Sequence, residues 1–206
     1  MESTEELVHQ NKPSPQISPL DIYASLSSRE RIFVSLALVA AIITITLFAI
    51  IQSPYISEIV SGYVTVIFLL WLAVIDYKSF TLPNIILLAW LGCRIVLIFA
   101  GIAVTASFDI LISSISGAVA MGILFLIVYY ASKRSLGGGD VKLSFVLGLA
   151  ITIYMAFTAV FLSLILCAIF SSVAVALKKL TRKDPVPLGP FLFIGTVVTY
   201  LFLIGG

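Results

Sequence analysis

Charged side chains are scarce in this chain, and their scarcity decides its class. Of the 206 residues, 61% are apolar and only 11% are charged, whereas a soluble domain carries about 25% charged residues. The apolar residues fall in long runs, several of which exceed the roughly 18 residues that indicate a membrane helix. The alternating segments of about ten residues that are typical of a membrane barrel are absent. The sequence therefore predicts an all-α polytopic membrane protein.

Histidine and cysteine are also nearly absent. The one histidine, His9, lies in a polar segment, and the two cysteines, Cys93 and Cys167, lie in apolar runs. We interpret both cysteines as small core residues, because isolated cysteines form neither a zinc motif nor a disulfide framework. We expect no metal site, no cofactor and no Ser-His-Asp triad. The net charge of +2 is too small to indicate nucleic-acid binding, and the first thirty residues lack the apolar segment of a cleavable signal peptide.

The apolar runs divide the chain into a tail and about seven predicted transmembrane helices. We predict a flexible cytosolic tail over residues 1–30 and a membrane-embedded domain over residues 31–206. As one helix, the stretch from Leu143 to Leu177 would be about 52 Å long, against a bilayer core of roughly 30 Å. It must therefore fold back, near Ile153–Met155, which leaves one short span before the fold. The other predicted spans are Ile32–Ile51, Ile59–Ile75, Ile85–Val104, Ile110–Tyr130, a sixth that ends near Leu177, and Leu188–Ile204.

The basic residues predict the orientation of these spans. With seven spans, all twelve Lys and Arg residues except Arg94 fall on one side of the membrane. The opposite loops carry Glu58 and Asp109 and no basic residue. The positive-inside rule then places the N-terminus in the cytosol. Arg94 lies within the third span, where it either snorkels to the surface or pairs with a carboxylate, and the sequence leaves both open.

Two aspartates adjoin predicted spans on the cytosolic side. Asp76 ends an inward-running span and Asp140 begins an outward-running one, so the hairpin between them can bring both to the same face. Two neighbouring carboxyl groups cannot both ionise easily, and they share a proton. The ionised group can activate a water, and the protonated group can polarise a peptide carbonyl and later serve the leaving amine. This pattern indicates an aspartic peptidase, whose chemistry needs neither a metal nor a covalent intermediate.

Three glycines, Gly137, Gly138 and Gly139, precede Asp140. In the simplest interpretation they form a loose turn, and Asp140 caps the N-terminus of the next span, where the helix dipole favours an anion. Glycine also accepts positive φ and lets another backbone approach closely. We therefore interpret the segment as an edge against which an extended peptide substrate pairs.

These residues resemble the GxGD motif of membrane aspartic proteases, in the form found in type IV prepilin peptidases. In that family the first aspartate is followed seven positions later by Pro-Asn, and the last span opens with a Gly-Pro-Phe-Leu segment. The resemblance covers about residues 55–206. Its motifs occur here in the family's order: Asp76 with Pro83 and Asn84, then Gly137–Leu143, then Pro187–Leu192 with Gly195.

The resemblance implies a membrane aspartic endopeptidase that removes the short basic leader of prepilins or pseudopilins. Cleavage would follow a glycine, at the cytosolic face of a prokaryotic plasma membrane. Asp76 and Asp140 would be catalytic. The substrate-binding or supporting residues would be Gly137, Gly138, Gly139, Lys142, Pro83 and Asn84. The expected partners are therefore a prepilin-like protein and the lipid bilayer, while the oligomeric state is open.

Many bacterial members also methylate the new N-terminus and carry a cytosolic domain with two CxxC pairs. This chain has no CxxC pair, so we expect a peptidase that uses neither S-adenosylmethionine nor zinc. A presenilin-like or signal-peptide-peptidase-like protease is an alternative, although Ile75 rather than Tyr precedes Asp76 and no Pro-Ala-Leu occurs. A transporter that uses the aspartates as a proton or ion site is another, although no inverted repeat is visible.

Overall fold

The computed structural model describes residues 25–52, 56–131, 137–179, 181 and 184–204, and every regular element in these ranges is a helix. The predicted all-α class is therefore confirmed. Residues 1–24, which make up most of the predicted tail, lie outside the described residues. The helices are α1 (Ser28–Gln52), α2 (Ile56–Ser79), α3 (Asn84–Thr105), α4 (Asp109–Ala131), α5 (Gly138–Ala150), α6 (Ile153–Ala176) and α7 (Gly189–Ile204).

Five of these helices, α1 to α4 and α6, are long and apolar enough to cross a membrane, by their length and composition. Helix α7 has 16 residues and α5 has 13. At about 1.5 Å per residue α5 is roughly 20 Å long, which is shorter than the bilayer core. The helices fit a multi-pass membrane protein, and α5 is the short helix expected after the glycines. The number of spans and the cytosolic N-terminus stay predictions.

The long apolar stretch folds back slightly earlier than predicted. Helix α5 ends at Ala150, and Ile151 and Thr152 adopt extended backbone, with ψ of 166° and 155°. Helix α6 then begins at Ile153, where the sequence predicted the fold itself. Helix α5 can end at Ala150 because its last carbonyls accept hydrogen bonds from side chains of α2 and α3.

Helix α2 lies at the centre of the bundle. Half of the residues in the most apolar 18-residue stretch of α2 are buried. In the other four long helices, a third or less of the corresponding stretch is buried. Helices α4 and α5 approach most closely at Gly117 and Gly148, where a Cβ on either residue would collide with the backbone of the other. The core joins α2, α3, α5 and α7 through Leu69, Leu72, Ile75, Trp90, Leu143, Leu147 and Leu192.

Two interpretations of single residues need correction. Cys93 is exposed on the outer face of α3 and is not a core residue, whereas Cys167 is half-buried against the core. Arg94 is only 8% exposed, so it does not snorkel. Its guanidinium donates to a backbone carbonyl and to two serine hydroxyls rather than to a carboxylate.

Candidate active site

Asp76 lies in the last turn of α2, and its side chain is buried, with 5% exposed. Its Oδ2 accepts a hydrogen bond of 2.7 Å from the backbone N–H of Gly189, the first residue of α7. The free N–H groups and the dipole at the start of a helix both favour an anion there. The start of α7 thus holds this carboxylate in place.

Glycine at position 189 allows the two segments to approach closely. A Cβ on Gly189 would lie 3.0 Å from Oδ2 and 3.1 Å from Cβ of Asp76, and 3.2 Å from Cα of Ala73. Gly189 also marks what the sequence reasoning missed. The sequence places it within a motif but does not identify it as a residue of the site. Its signal was a glycine next to a proline at the start of an apolar run.

A tight turn leads from α2 towards α3. Phe80 has a φ of 51°, and its N–H donates to the carbonyl of Asp76 at 2.9 Å. Pro83 has extended backbone and immediately precedes Asn84, the first residue of α3. Proline is favourable at a helix start, where its missing N–H has no partner to lose. The turn therefore places Asn84 at the same end of the bundle as Asp76.

The three glycines form the start of α5. Gly137 is the N-cap residue with φ −68° and ψ 139°, and Gly138 and Gly139 are the first two helical residues. No glycine in the described ranges has a positive φ, so the expectation of positive φ was wrong, whereas the pairing of an extended substrate with this segment stays a prediction. The need for glycine is steric at Gly139, where a Cβ would lie 3.1 Å from Cβ of Leu82. Gly139 thus lets α5 approach the turn between α2 and α3.

Asp140 is the third residue of α5, and its side chain is half-buried. Its backbone N–H donates to the carbonyl of Gly137 at 3.0 Å. Its carboxyl group lies close enough to Asp76 for the two negative charges to repel each other. Because Gly139 packs against Leu82 of the turn after α2, the fold places both carboxyl groups at the same end of the bundle.

Lys142 and Asn84 form a second polar contact at this end of the bundle. The Lys142 Nζ donates to Oδ1 of Asn84 at 3.0 Å, and both residues are exposed. This hydrogen bond joins the starts of α3 and α5. Both residues also line a cavity of about 620 Å³ between α3, α4 and α5. Its other lining residues are Leu87, Leu88, Leu91, Gly122, Leu126, Val141, Phe145 and Val146.

Another apolar cavity, of about 330 Å³, lies between α1, α2 and α7. It includes Ala73 and Tyr77 of α2 and Pro190 of α7, so it adjoins the contact between Asp76 and Gly189. Glu30 also lines it, and its carboxylate pairs with Lys78 at 2.9 Å. Among the residues that the structure describes, no group of three or more His, Cys, Asp or Glu could hold a metal ion. One cavity thus adjoins Asp76 through Ala73 and Tyr77, and the other adjoins Asp140 through Val141 and Lys142.

Comparisons with known proteins point to a peptidase family. The chain matches the model of the type IV leader peptidase family over residues 63–172, a range that includes Asp76 and Asp140. It is 30% identical over 146 residues to the prepilin leader peptidase/N-methyltransferase of Bacillus subtilis (strain 168). That match covers 70% of this chain and 56% of the relative, so the chain spans little more than half the relative's length. No solved structure matches. Because the family model matches more than half of this chain, the chain belongs to the type IV leader peptidase family.

Proposed function

We propose that the protein is a membrane aspartic endopeptidase that cleaves the N-terminal leader of prepilins or prepilin-like proteins. The observation that carries this proposal is that Asp76 and Asp140 lie at the same end of the bundle, where Gly139 packs against the turn after α2, and that both lie within the matched part of the family. Family membership supports a peptidase over a transporter. The name of the Bacillus relative supports a prepilin substrate. It therefore favours a prepilin peptidase over a presenilin-like protease.

The two carboxyl groups would act with one shared proton. The ionised carboxylate takes a proton from a water whose oxygen attacks the scissile carbonyl carbon. The other carboxyl group gives its proton to the carbonyl oxygen, which forms a neutral tetrahedral diol. When that intermediate collapses, the C–N bond breaks, the protonated carboxyl group gives its proton to the leaving amine, and one hydroxyl of the diol gives its proton to the ionised carboxylate. The pair returns to one proton, so no metal or covalent intermediate is needed.

The neighbouring residues would hold this pair rather than react. The N–H of Gly189 fixes the orientation of the Asp76 carboxylate. The hydrogen bond between Lys142 and Asn84 ties the start of α5, and hence Asp140, to α3. Gly139 lets α5 approach the turn after α2. Pro83 would support the site by fixing the end of the same turn, directly before α3. Gly137 and Gly138 would support it as the N-cap residue and the first residue of α5.

We further propose that the site faces the cytosol of a prokaryotic cell. Lys78 and Lys142 lie at the same helix ends as Asp76 and Asp140, as the positive-inside rule predicts for a cytosolic face. We also propose that this chain acts as a peptidase only. The relative's name includes a methyltransferase, but these 206 residues contain no CxxC pair.

The test is cleavage of candidate prepilins by membranes that contain the protein. The wild-type protein should release the leader, and Asp76→Asn and Asp140→Asn should lose at least about 100-fold in rate, the scale of acid–base catalysis. Asp109→Asn is the matched control. Like Asp140, Asp109 lies in the first turn of a helix, but it is exposed and its carboxylate accepts from Ser107. Wild-type rates in either variant of the pair would refute the catalytic assignment, and no cleavage of any prepilin would refute the substrate class.

A further inference from the structure

Arg94 is buried in the middle of α3, and the proposed reaction does not use it. Its Nε donates to the carbonyl of Leu149 at 2.8 Å, and Nη1 and Nη2 donate to Oγ of Ser61 at 2.7 Å and of Ser114 at 2.9 Å. Oγ of Ser61 in turn donates to the carbonyl of Ala150 at 3.0 Å. Arg94 and both serines are each less than 10% exposed. One guanidinium therefore links α3 to α2, α4 and α5.

These hydrogen bonds meet a need at the end of α5. The last carbonyls of a helix have no partners within it and must find them elsewhere. Of these carbonyls, that of Leu147 accepts from the N–H of Ile151 at 3.2 Å. Those of Leu149 and Ala150 depend on Arg94 and Ser61. The two side chains thus cap the C-terminus of α5, where the helix dipole also favours a positive charge.

The capped end and the candidate catalytic residues lie on the same two helices. Ser61 lies on α2, about 22 Å before Asp76, and Leu149 lies on α5, about 14 Å after Asp140. A helix is stiff over such a length, so an axial shift at the capped end of α5 moves Asp140 by a similar amount. The cap and the carboxyl pair are therefore mechanically connected through α2 and α5.

We propose that Arg94 is a positioning residue. Together with Ser61 it fixes the axial position of α5 against α2, and thereby the separation of Asp76 and Asp140. The effect on catalysis rests on the proposed function, whereas the effect on the separation of the helices does not.

The separation can be measured directly with spin labels on α2 and α5. Tyr77→Cys and Phe145→Cys place the labels at exposed positions near the carboxyl pair, where the native side chains are 56% and 40% exposed. Both native cysteines are replaced by alanine in this background. We expect Arg94→Met to shift or broaden the distance by about 1.5 Å or more, the rise of one helical residue. Arg94→Lys keeps the charge but cannot bind all three acceptors, so its change should be smaller.

Ser61→Ala and Ser163→Ala form a matched pair in the same background. Both remove a buried serine hydroxyl, but that of Ser61 joins α2 to α5, whereas that of Ser163 bonds to Ala159 of its own helix. Only Ser61→Ala should change the distance. If Arg94→Met does not fold, Arg94→Lys and Ser61→Ala decide the outcome. Distances equal to the background in every folded variant of Arg94 and Ser61 would overturn the proposal.

Activity provides the second measurement, made well below the unfolding temperature of each variant. Displaced carboxyl groups should lower kcat in Arg94→Met by about tenfold or more while KM changes little, because only the reacting pair is affected. The pH range of high activity should also narrow, since the two groups then interact more weakly. If Arg94 had only a structural role, Arg94→Met would lower the unfolding temperature but leave kcat and the pH profile unchanged. That result would contradict the proposal. If the wild type cleaves no prepilin, the proposed function fails, but the distances still decide the role of Arg94.

Discussion

Gly189→Ala is the smallest substitution that tests how α7 holds Asp76, one of the two proposed catalytic residues. The new methyl group would lie 3.0 Å from Oδ2 and 3.1 Å from Cβ of Asp76, and 3.2 Å from Cα of Ala73. These distances are all shorter than an ordinary van der Waals contact. Neither Cα of Ala73 nor Cβ of Asp76 is the free end of a flexible side chain, so the start of α7 must withdraw from α2. The hydrogen bond of 2.7 Å between Gly189 and Asp76 then lengthens or breaks.

The expected loss follows from the strength of that hydrogen bond. A hydrogen bond to a charged group contributes about 1.5–3 kcal/mol, and each 1.4 kcal/mol corresponds to about tenfold in rate. We therefore expect kcat to fall by about 10- to 100-fold. The new methyl group faces Asp76 and Ala73, and we expect KM to change much less.

The assay is leader cleavage by purified protein, followed by separation of the products at several substrate concentrations. Gly92→Ala is the matched control, because Gly92 also lies in a helix but a Cβ there meets nothing within 4 Å. Its activity should equal that of the wild type, because the new methyl group contacts nothing and alanine is more favourable than glycine within a helix. Wild-type kcat in Gly189→Ala would refute the role of this hydrogen bond. An equal loss in Gly92→Ala would show that the effect is not specific to position 189.

Three further predictions concern packing, proton transfer and metals. Gly117→Ala and Gly148→Ala each place a methyl group against the backbone of the other residue, so each should destabilise the fold by about 1–3 kcal/mol. Thermal unfolding in detergent, with Gly92→Ala for comparison, measures this, and unchanged midpoints would contradict the close approach of α4 and α5. The pH–rate profile should be bell-shaped, with two apparent pKa values that belong to the pair Asp76 and Asp140; a profile with a single limb would argue against a shared proton. Exhaustive treatment with a metal chelator should leave the cleavage rate unchanged, and a loss restored by added metal would contradict the metal-free mechanism.

The sequence predicted the helices well because their signal is local. Apolar runs of membrane length and the scarcity of charge sufficed to place α1 to α4, and bilayer thickness required α5 to be short. The exact fold-back point could not be predicted, because α5 ends where Arg94 and Ser61 satisfy its carbonyls. Those residues lie on other helices, and no local pattern in the sequence connects them.

The site shows the same difference between local and long-range information. Asp76 and Asp140 could be chosen from their flanking residues, and the orientation of the spans indicated that they share a face. Gly189 could not be assigned to Asp76, because their contact depends on how α7 packs against α2. The glycines before Asp140 lie at the start of α5, and the physical reason for them differs from the predicted one. At Gly139 a side chain would crowd Leu82, and no left-handed backbone is involved.

The central claim is that Asp76 and Asp140 act as one catalytic unit. The most direct measurement compares the rate of leader cleavage in Asp76→Asn, Asp140→Asn and the double variant. Residues that act together are strongly non-additive, so each single variant should lose about as much activity as the double variant. A wild-type rate in either single variant, or losses that multiply in the double variant, would contradict the account.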